Sequence, residues 1–450
     1  MTRPSHAALA ALLTLTLSAP ALRAETLHVS ASTGAAARSA DGSKEKPFRD
    51  LQAAIDKANE GDTLHIAAGN YLGKNDQGFI TLDKSVSLVG GWNTDFTERD
   101  PLKHRTMIQP TAAQNPSASG DALVTLGDKN KPRSFTAKDL VMDGLILDRG
   151  FSNGYHPTKG KAEGLDTGML IHPPGQGVNG DQQKVVTNTR PLIYFANGFG
   201  NVTIRNCALV NGAFYGVLGS WSQGKVLFEN NLFVNNGYAG AELSGGGQTG
   251  EYSLEVEFAN NTILFNWART NDLQDMGYGV RFMLGAKVLV HDCILGCSTM
   301  GALDRGRVES GPGAADREKK RVTGVENSAF FLNKNNGDLV LPGGAGWKLI
   351  PCAKFEDCEE LDPYEGNAEL DGARLKGKIN EAYLNAFLTM QNTEDVLLDR
   401  DSPANKFRSA LGMSLEAAAN TKVDLYANRY PLEDALKLFG AVEGVGAQKP

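Results

Sequence analysis

Through the middle of the chain, short apolar runs alternate with single polar residues on one recurring template. The sequence reads Val-Thr-Ile-Arg-Asn-Cys-Ala-Leu-Val at 202–210, Val-Leu-Phe-Glu-Asn-Asn-Leu-Phe-Val at 226–234, Val-Glu-Phe-Ala-Asn-Asn-Thr-Ile-Leu at 256–264 and Val-Leu-Val-His-Asp-Cys-Ile-Leu-Gly at 288–296. Residues 141–147 and 325–331 fit it less fully. In each unit two apolar residues alternate, a polar residue follows, and a second apolar run comes next; the polar column is Asp143, Asn206, Asn230, Asn260, Asp292 and Asn327. A third short strand follows most units and opens on Gly216, Gly240, Gly279 or Gly301. Three short strands per repeat, with a period in the 20–50 residue range, predict a parallel β-solenoid whose coils are stable only when stacked. The polar column fits that reading, because an inward Asn at a sharp bend can bond the backbone of its own coil and of the next. The rival is a β-sandwich, for which Asn211-Gly212 and Asn236-Gly237 would be hairpin turns; it leaves the recurrent column without a reason.

The ends depart from this pattern. Residues 1–24 carry Arg3, an apolar stretch over 7–17 and a small residue at Ala24, which reads as a secretory signal peptide. No later stretch approaches the ~20 apolar residues of a membrane helix, so no transmembrane segment is expected and the protein is placed in the periplasm or outside the cell. Residues 48–58 read as a short amphipathic helix that closes the first coil, since a bare solenoid end exposes apolar surface and unpaired strand. Beyond the last unit, 380–388 and 432–439 read as helices of a C-terminal cap. The division expected is therefore 1–24 signal peptide, 25–340 β-helix with its N-terminal cap, and 341–450 C-terminal region.

Composition narrows the function. The 450 residues are 41% apolar and 22% charged, a globular balance, and 51 glycines suit many tight turns. A formal net charge of −7 argues against nucleic acid as a partner. Of five cysteines, Cys352 and Cys358 sit in a loop-like stretch and are the candidate disulfide, while Cys207, Cys293 and Cys297 lie in strand-like runs and read as buried hydrophobes. Nothing shows the paired Cys/His spacing of a zinc site.

The mature start carries a family resemblance. It reads Leu27-His-Val-Ser30, Asp41-Gly-Ser-Lys-Glu-Lys-Pro-Phe48, Leu51-Gln-Ala-Ala-Ile55 and Asn59-Glu-Gly-Asp-Thr-Leu-His-Ile-Ala-Ala-Gly-Asn-Tyr71. This resembles the opening of secreted right-handed parallel β-helix proteins of the pectate-lyase-like superfamily. The resemblance spans residues 27–340. It implies the fold but not one activity, since that group holds lyases, hydrolases, epimerases, adhesins and phage spikes. Three of its active-site patterns are not found: the Asn-x-Asp, Asp-Asp and Gly-His-Gly set of polygalacturonase-like enzymes, the Asp-Pro-His-Asp of epimerase-like repeats, and the Arg-x-Pro-x-x-Arg of pectate-lyase-like enzymes.

The resemblance also implies that ligands lie along the Gly-led strands. Alternation there turns Val217, Ala241, Val280 and Ala302 inward and Leu218, Glu242, Arg281 and Leu303 outward, with Tyr194 outward on one more coil. A lyase of an acidic, uronate polysaccharide needs a cation for the carboxylate and a base for the C5 proton. Arg281 or Arg305 would neutralise; Tyr194, His172 or a perturbed basic residue would take the proton; Glu242 would neighbour Arg281. Trp221 and Tyr155 are the candidates to stack on a sugar. Asp272 and Asp275 are candidate oxygen ligands for Ca²⁺. The expectation is thus an exported β-helix acting on polysaccharide, most plausibly as a lyase. The alternatives are a non-catalytic glycan-binding surface or envelope protein and a structural spacer.

Overall fold

The computed structural model describes residues 24–72, 80–109, 122–149, 155–156, 160–161, 191–212, 215–245, 253–266, 277–282, 285–307, 312–313, 323–333, 337–340, 347–350, 364–415 and 430–450. Residues 1–23 of the expected signal peptide lie outside these, as do Cys352, Cys358, His172, Asp272 and Asp275. Among the described residues no helix is long and apolar enough to cross a membrane.

The chain winds as a parallel β-helix with three faces. The second face holds the template strands, for example Val202 to Arg205 over Val226 to Glu229, followed by Leu254–Ala259, Ala286–His291 and Thr323–Glu326, all paired in parallel register. The third face is a nine-stranded sheet of short strands such as Ala208–Val210, Leu232–Val234, Thr262–Leu264 and Ile294–Gly296. The first face holds the Gly-led strands. It merges with the second into a seventeen-stranded sheet, because Ile193–Arg205 and Tyr215–Glu229 run through the corner between them. The ladder does not stop at residue 340: Tyr364 pairs with Val325 and Ala368 with Ala329, adding a further rung. At the other end Thr26–Val29 pairs with Thr63–Ala67. The closing helix Leu51–Lys57 starts where the Asp50 side chain accepts the Ala53 N–H, and it buries Leu51, Ala54 and Ile55.

The bend from the second to the third face shifts the expected polar column by one residue. Asn206, Asn230, Asn260, Asp292 and Asn327 adopt left-handed backbone with φ of 53°, 57°, 54°, 53° and 49°, which Asn and Asp tolerate better than other side chains. The matching position in the preceding coil is Gly144 rather than Asp143, which pairs with Arg205. The inward residue is the next one along: Cys207, Asn231, Asn261, Cys293, Ser328 and Asn367. Each reaches back to the coil before it. Asn231 Oδ1 accepts the Cys207 N–H at 2.9 Å, Asn261 Oδ1 the Asn231 N–H at 2.9 Å, Cys293 Sγ the Asn261 N–H at 3.3 Å, Ser328 Oγ the Cys293 N–H at 3.1 Å and Asn367 Oδ1 the Ser328 N–H at 3.0 Å. The pair Asn211-Gly212 forms no hairpin. It begins a second bend of the same kind, where Asn236 Oδ1 accepts the Gly212 N–H at 2.9 Å and Asn333 Oδ1 the Ser298 N–H at 3.0 Å.

The third face is apolar outside as well as inside, and the C-terminal region covers it. Helices Glu381–Gln391, Pro403–Leu411 and Leu432–Leu436 share a second apolar cluster with Val210, Val234, Leu264, Phe265 and Phe331. Phe407 stacks on Phe331 with ring centroids 4.8 Å apart. The last residues run across successive coils: Gly446 N–H bonds Asp292 O at 2.7 Å, Ala447 N–H bonds Thr262 Oγ1 at 2.9 Å and Gln448 N–H bonds Asn230 Oδ1 at 2.5 Å. The helical C-terminal cap thus packs on the solenoid as expected, along its third face.

Two measurements test this account. Asn231 is wholly buried and serves three backbone or amide partners, so Asn231→Leu should cost about 3 kcal/mol in denaturant unfolding. A loss below 1 kcal/mol would mean that apolar packing alone holds the bend. In the N-terminal coils the His65 ring lies 5.6 Å from His28 and stacks on Trp92 at 4.3 Å. Burial, then the neighbouring His28, Lys44 and Arg99 charges, push His65 down from 6.5 to about 4. The folded state therefore binds fewer protons than the unfolded chain between those values, so stability should fall with pH from 6.5 and level off below 4. His65→Gln should flatten that slope; an unchanged slope would remove His65 as its source.

Candidate functional site

Connectivity singles out the first face. The bends from the second face to the third take one or two residues, whereas 110–121, 150–190 and 267–276 all join third-face strands to first-face strands. Long connections beside a rigid sheet are where sites are usually built. The first-face strands approach closely because Gly216, Gly240 and Gly279 stack on one another: a Cβ at Gly216 would lie 2.4 Å from Gly240 O, and one at Gly240 2.6 Å from Gly279 O.

The outward column of this face runs Thr125, Tyr194, Leu218, Glu242, Arg281 and Asp304. Tyr194, Glu242 and Arg281 are thus on one column as expected, but Leu303 is not. Leu303 pairs with Val280 and is wholly buried, while Asp304 pairs with Arg281. Aligning Gly301 with the other glycines misplaced this strand by one residue, for Ala302 is the residue that continues the glycine stack. The correction brings in an acid that the earlier register had missed.

Asp304, Arg281 and Glu242 form an ionic chain across three coils. Arg281 Nε donates to Asp304 Oδ2 at 2.5 Å and Nη1 to Glu242 Oε2 at 3.2 Å. The side chains of Asp304, Arg281 and Glu242 are 0%, 8% and 13% exposed. Tyr215, from the same face, donates its hydroxyl to Glu242 Oε2 at 2.8 Å. Burial works against the Arg281 charge, but the Asp304 and Glu242 carboxylates outweigh it and raise its pKa. Burial, then the Glu242 charge, raises the Tyr215 phenol, which stays protonated at neutral pH. Arg281 is therefore neither an exposed cation waiting for a uronate nor a base. Glu242 Oε2 takes both donors.

Trp221 is corrected outright. Its ring is wholly buried, its indole N–H donates to Gly200 O at 2.9 Å, and it meets Phe195 edge-on at 5.3 Å. The strand runs on through the corner, so alternation from Val217 carries Trp221 into the core, and Gly198 makes room: a Cβ there would sit 2.5 Å from the indole. It is not a sugar platform. Tyr194 is half-buried and outward, with Lys129 Nζ 5.8 Å from its ring centre. Arg305 lies on the strand Gly301–Arg307 and Tyr155 on the short strand Tyr155–His156, but both side chains are outside the described residues. Among the described residues no group of three or more His, Cys, Asp or Glu side chains is placed to hold a metal ion.

A second charged group sits on the second face. His291 bonds Asp292 Oδ2 through Nδ1 at 2.8 Å and Glu257 Oε1 through Nε2 at 3.1 Å. Burial opposes the imidazolium, yet the two carboxylates raise its pKa. With both ring nitrogens engaged by acids, this histidine serves as a link between coils.

The fold and this column define a parallel β-helix protein with a buried ionic chain under its first face. A family model described as "Protein of unknown function (DUF1565)" matches residues 33–127. No curated protein matches the chain. Among solved structures it is similar to pectate lyase Pel9A at 14% identity and a TM-score of 0.37, covering 69% of this chain and 70% of that one. It is similar to a rhamnogalacturonan lyase at 11% identity and 0.31, covering 70% and 74%, and to the GH136 lacto-N-biosidase from Eubacterium ramulus at 8% and 0.24, covering 77% and 68%.

Removing one member of a buried ion chain leaves uncompensated charge. Arg281→Met should therefore cost about 3–5 kcal/mol. The triple replacement Arg281→Met, Asp304→Leu, Glu242→Gln should recover most of that loss in thermal unfolding. A single variant as stable as the parent would mean that the chain of ion pairs does not form in solution.

Proposed function

We propose that this chain is an exported polysaccharide-binding β-helix protein whose sugar surface is the outward column Tyr194, Leu218 and Glu242 of the first face. The observation that supports binding over elimination is the state of the ionic chain. Elimination needs a cation free to neutralise the uronate carboxylate in the transition state and a base facing the C5 proton. At this column the Arg281 guanidinium is already shared by two carboxylates, and the phenol of Tyr215 is held protonated. What the column offers instead is three partly exposed side chains on successive rungs: the aromatic Tyr194, the apolar Leu218 and the carboxylate Glu242. These are the features of a glycan cradle: a ring to lie along the sugar, and an acceptor for its hydroxyls.

A second reading is elimination with Glu242 Oε1 as proton acceptor, because both hydrogen bonds to this carboxylate fall on Oε2. In that step the C5 proton passes to Oε1, the C4–O bond breaks as the C4–C5 double bond forms, and the leaving oxygen takes a proton from water.

The test uses purified mature protein with polygalacturonate, alginate and hyaluronan, followed by titration calorimetry and by ultraviolet absorbance of unsaturated uronate ends. Binding without a rise in absorbance is expected. Glu242→Gln should weaken it by about tenfold, the weight of one hydrogen bond to a charged acceptor. Rising absorbance abolished by Glu242→Gln would replace binding by elimination. No affinity for any polymer would end the polysaccharide reading.

A further inference from the structure

A group of side chains that the first face does not use stands on the N-terminal coils of the second. One column there runs His28, His65, Val89 and Asp143 on successive rungs. The His65 ring stacks on Trp92 with centroids 4.3 Å apart and meets His28 edge-on at 5.6 Å; His28 in turn meets Phe96 at 4.6 Å. Two cations flank these rings, and each is fixed by a backbone carbonyl. On one side Lys44 Nζ donates to Phe96 O at 3.1 Å. On the other, Arg99 is bridged to Trp92 through the backbone and donates from Nε to Gly90 O at 2.9 Å and from Nη2 to Asp143 Oδ1 at 2.6 Å. Asp143 also accepts from Arg205 and Asn206, each at 2.9 Å, so one buried carboxylate answers two guanidinium groups.

His65 is the unused member. Among the described residues neither of its ring nitrogens has a hydrogen-bond partner, and neither is sealed from solvent. His28 differs, because its Nδ1 lies 3.0 Å from Gly42 O and spends its proton there. The charges that act on His65 are those of His28, Lys44 and Arg99, while Glu45, beside Lys44, acts on His28. We infer that His65, Lys44 and Arg99 form an oxyanion site that takes a sulfate or phosphate group, free or carried on a sugar, with His65 gaining a proton from solvent as the group binds. The site is independent of the first-face reading. An arriving anion cancels the repulsion that keeps His65 neutral, and the new imidazolium is stabilised by the Trp92 face beneath it. Two fixed cations and a third formed on demand match a dianion better than a singly charged carboxylate. The same cations oppose a metal ion, which a pair of histidines would otherwise suit.

Inorganic sulfate is the first probe, because its charge does not change over the range in which His65 titrates. The histidine ring protons of the full mature chain are followed by NMR against pH, at one ionic strength, in chloride with and without sulfate. In chloride His65 should titrate at about 4. Sulfate should move that midpoint to about 5 or above, which is tenfold tighter binding to the protonated form. Lys44→Met, an exposed position whose replacement is not expected to disturb folding, should raise the midpoint in chloride and shrink the sulfate effect at least roughly twofold. Glucose 6-sulfate is the second probe: a larger effect than that of inorganic sulfate assigns the site to an esterified group, and an equal one assigns it to the free anion. A parent midpoint that sulfate does not move would overturn the site. So would a sulfate effect that Lys44→Met leaves whole, since that is the mark of general screening.

Discussion

Everything in this molecule depends on one repeated contact: a short polar side chain, turned inward at the bend, that accepts the backbone N–H of the preceding coil. The left-handed bend leaves that N–H without a strand partner, and a buried orphan donor is costly. Amide, hydroxyl and thiol all fill the role, as Asn261, Ser328 and Cys293 do in turn. The contact works only between residues at the same position of successive coils, so it locks the register of the stack. Register then decides which side chains share an outward column. The meeting of Glu242, Arg281 and Asp304 across three coils is a consequence of hydrogen bonds made at the bend.

The same geometry sorts the three faces by what they can do. The third face is apolar on its outer side and is consumed by the C-terminal helices and by the terminal segment that runs from Asp292 to Asn230. The second face is laced by charge pairs between coils, with Lys225 on Glu257 and Glu257 on His291; pairs of this exposed kind contribute little each but keep the surface wet. The first face is bordered by long connections on its third-face side and carries its ionic chain below the surface. It is the surface left for a large ligand.

The solenoid was legible in the sequence because its signal is redundant. Four near-complete templates and an Asn column point to the same coil, and no hairpin scheme explains them together. The buried, unpaired state of Cys207, Cys293 and Cys297 was readable for the same reason. What failed was single-residue register. Asn230-Asn231 and Asn260-Asn261 offer two candidates for one inward position, and the repeat alone does not say which turns in; the backbone decides, by putting the first of each pair in the left-handed region. Gly301 looked like Gly216, Gly240 and Gly279, yet Ala302 takes their place, which hid Asp304. Trp221 was misjudged because a strand that turns a corner without ending keeps alternating, and nothing in the local sequence marks a corner. Aligning charge along the column, so that Arg281 met an acid on each side, would have found Asp304.

That acid changes the chemistry more than any other position. With Glu242 alone, Arg281 would be a surface cation free to leave its partner for a substrate carboxylate. With Asp304 wholly buried behind it, the guanidinium is held from two sides in a setting where charges interact strongly and rearrangement is expensive. A cation so held cannot follow charge that develops on a substrate unless a carboxylate is left bare, and the cost of that exposure would be charged against the transition state. The arrangement instead keeps Glu242 oriented, with one oxygen fixed by Arg281 and Tyr215. A fixed acceptor loses little conformational freedom when it meets a sugar hydroxyl. Rigidity of this kind suits recognition of a long polymer, whose affinity is built from many small, pre-placed contacts repeated along the axis of the helix.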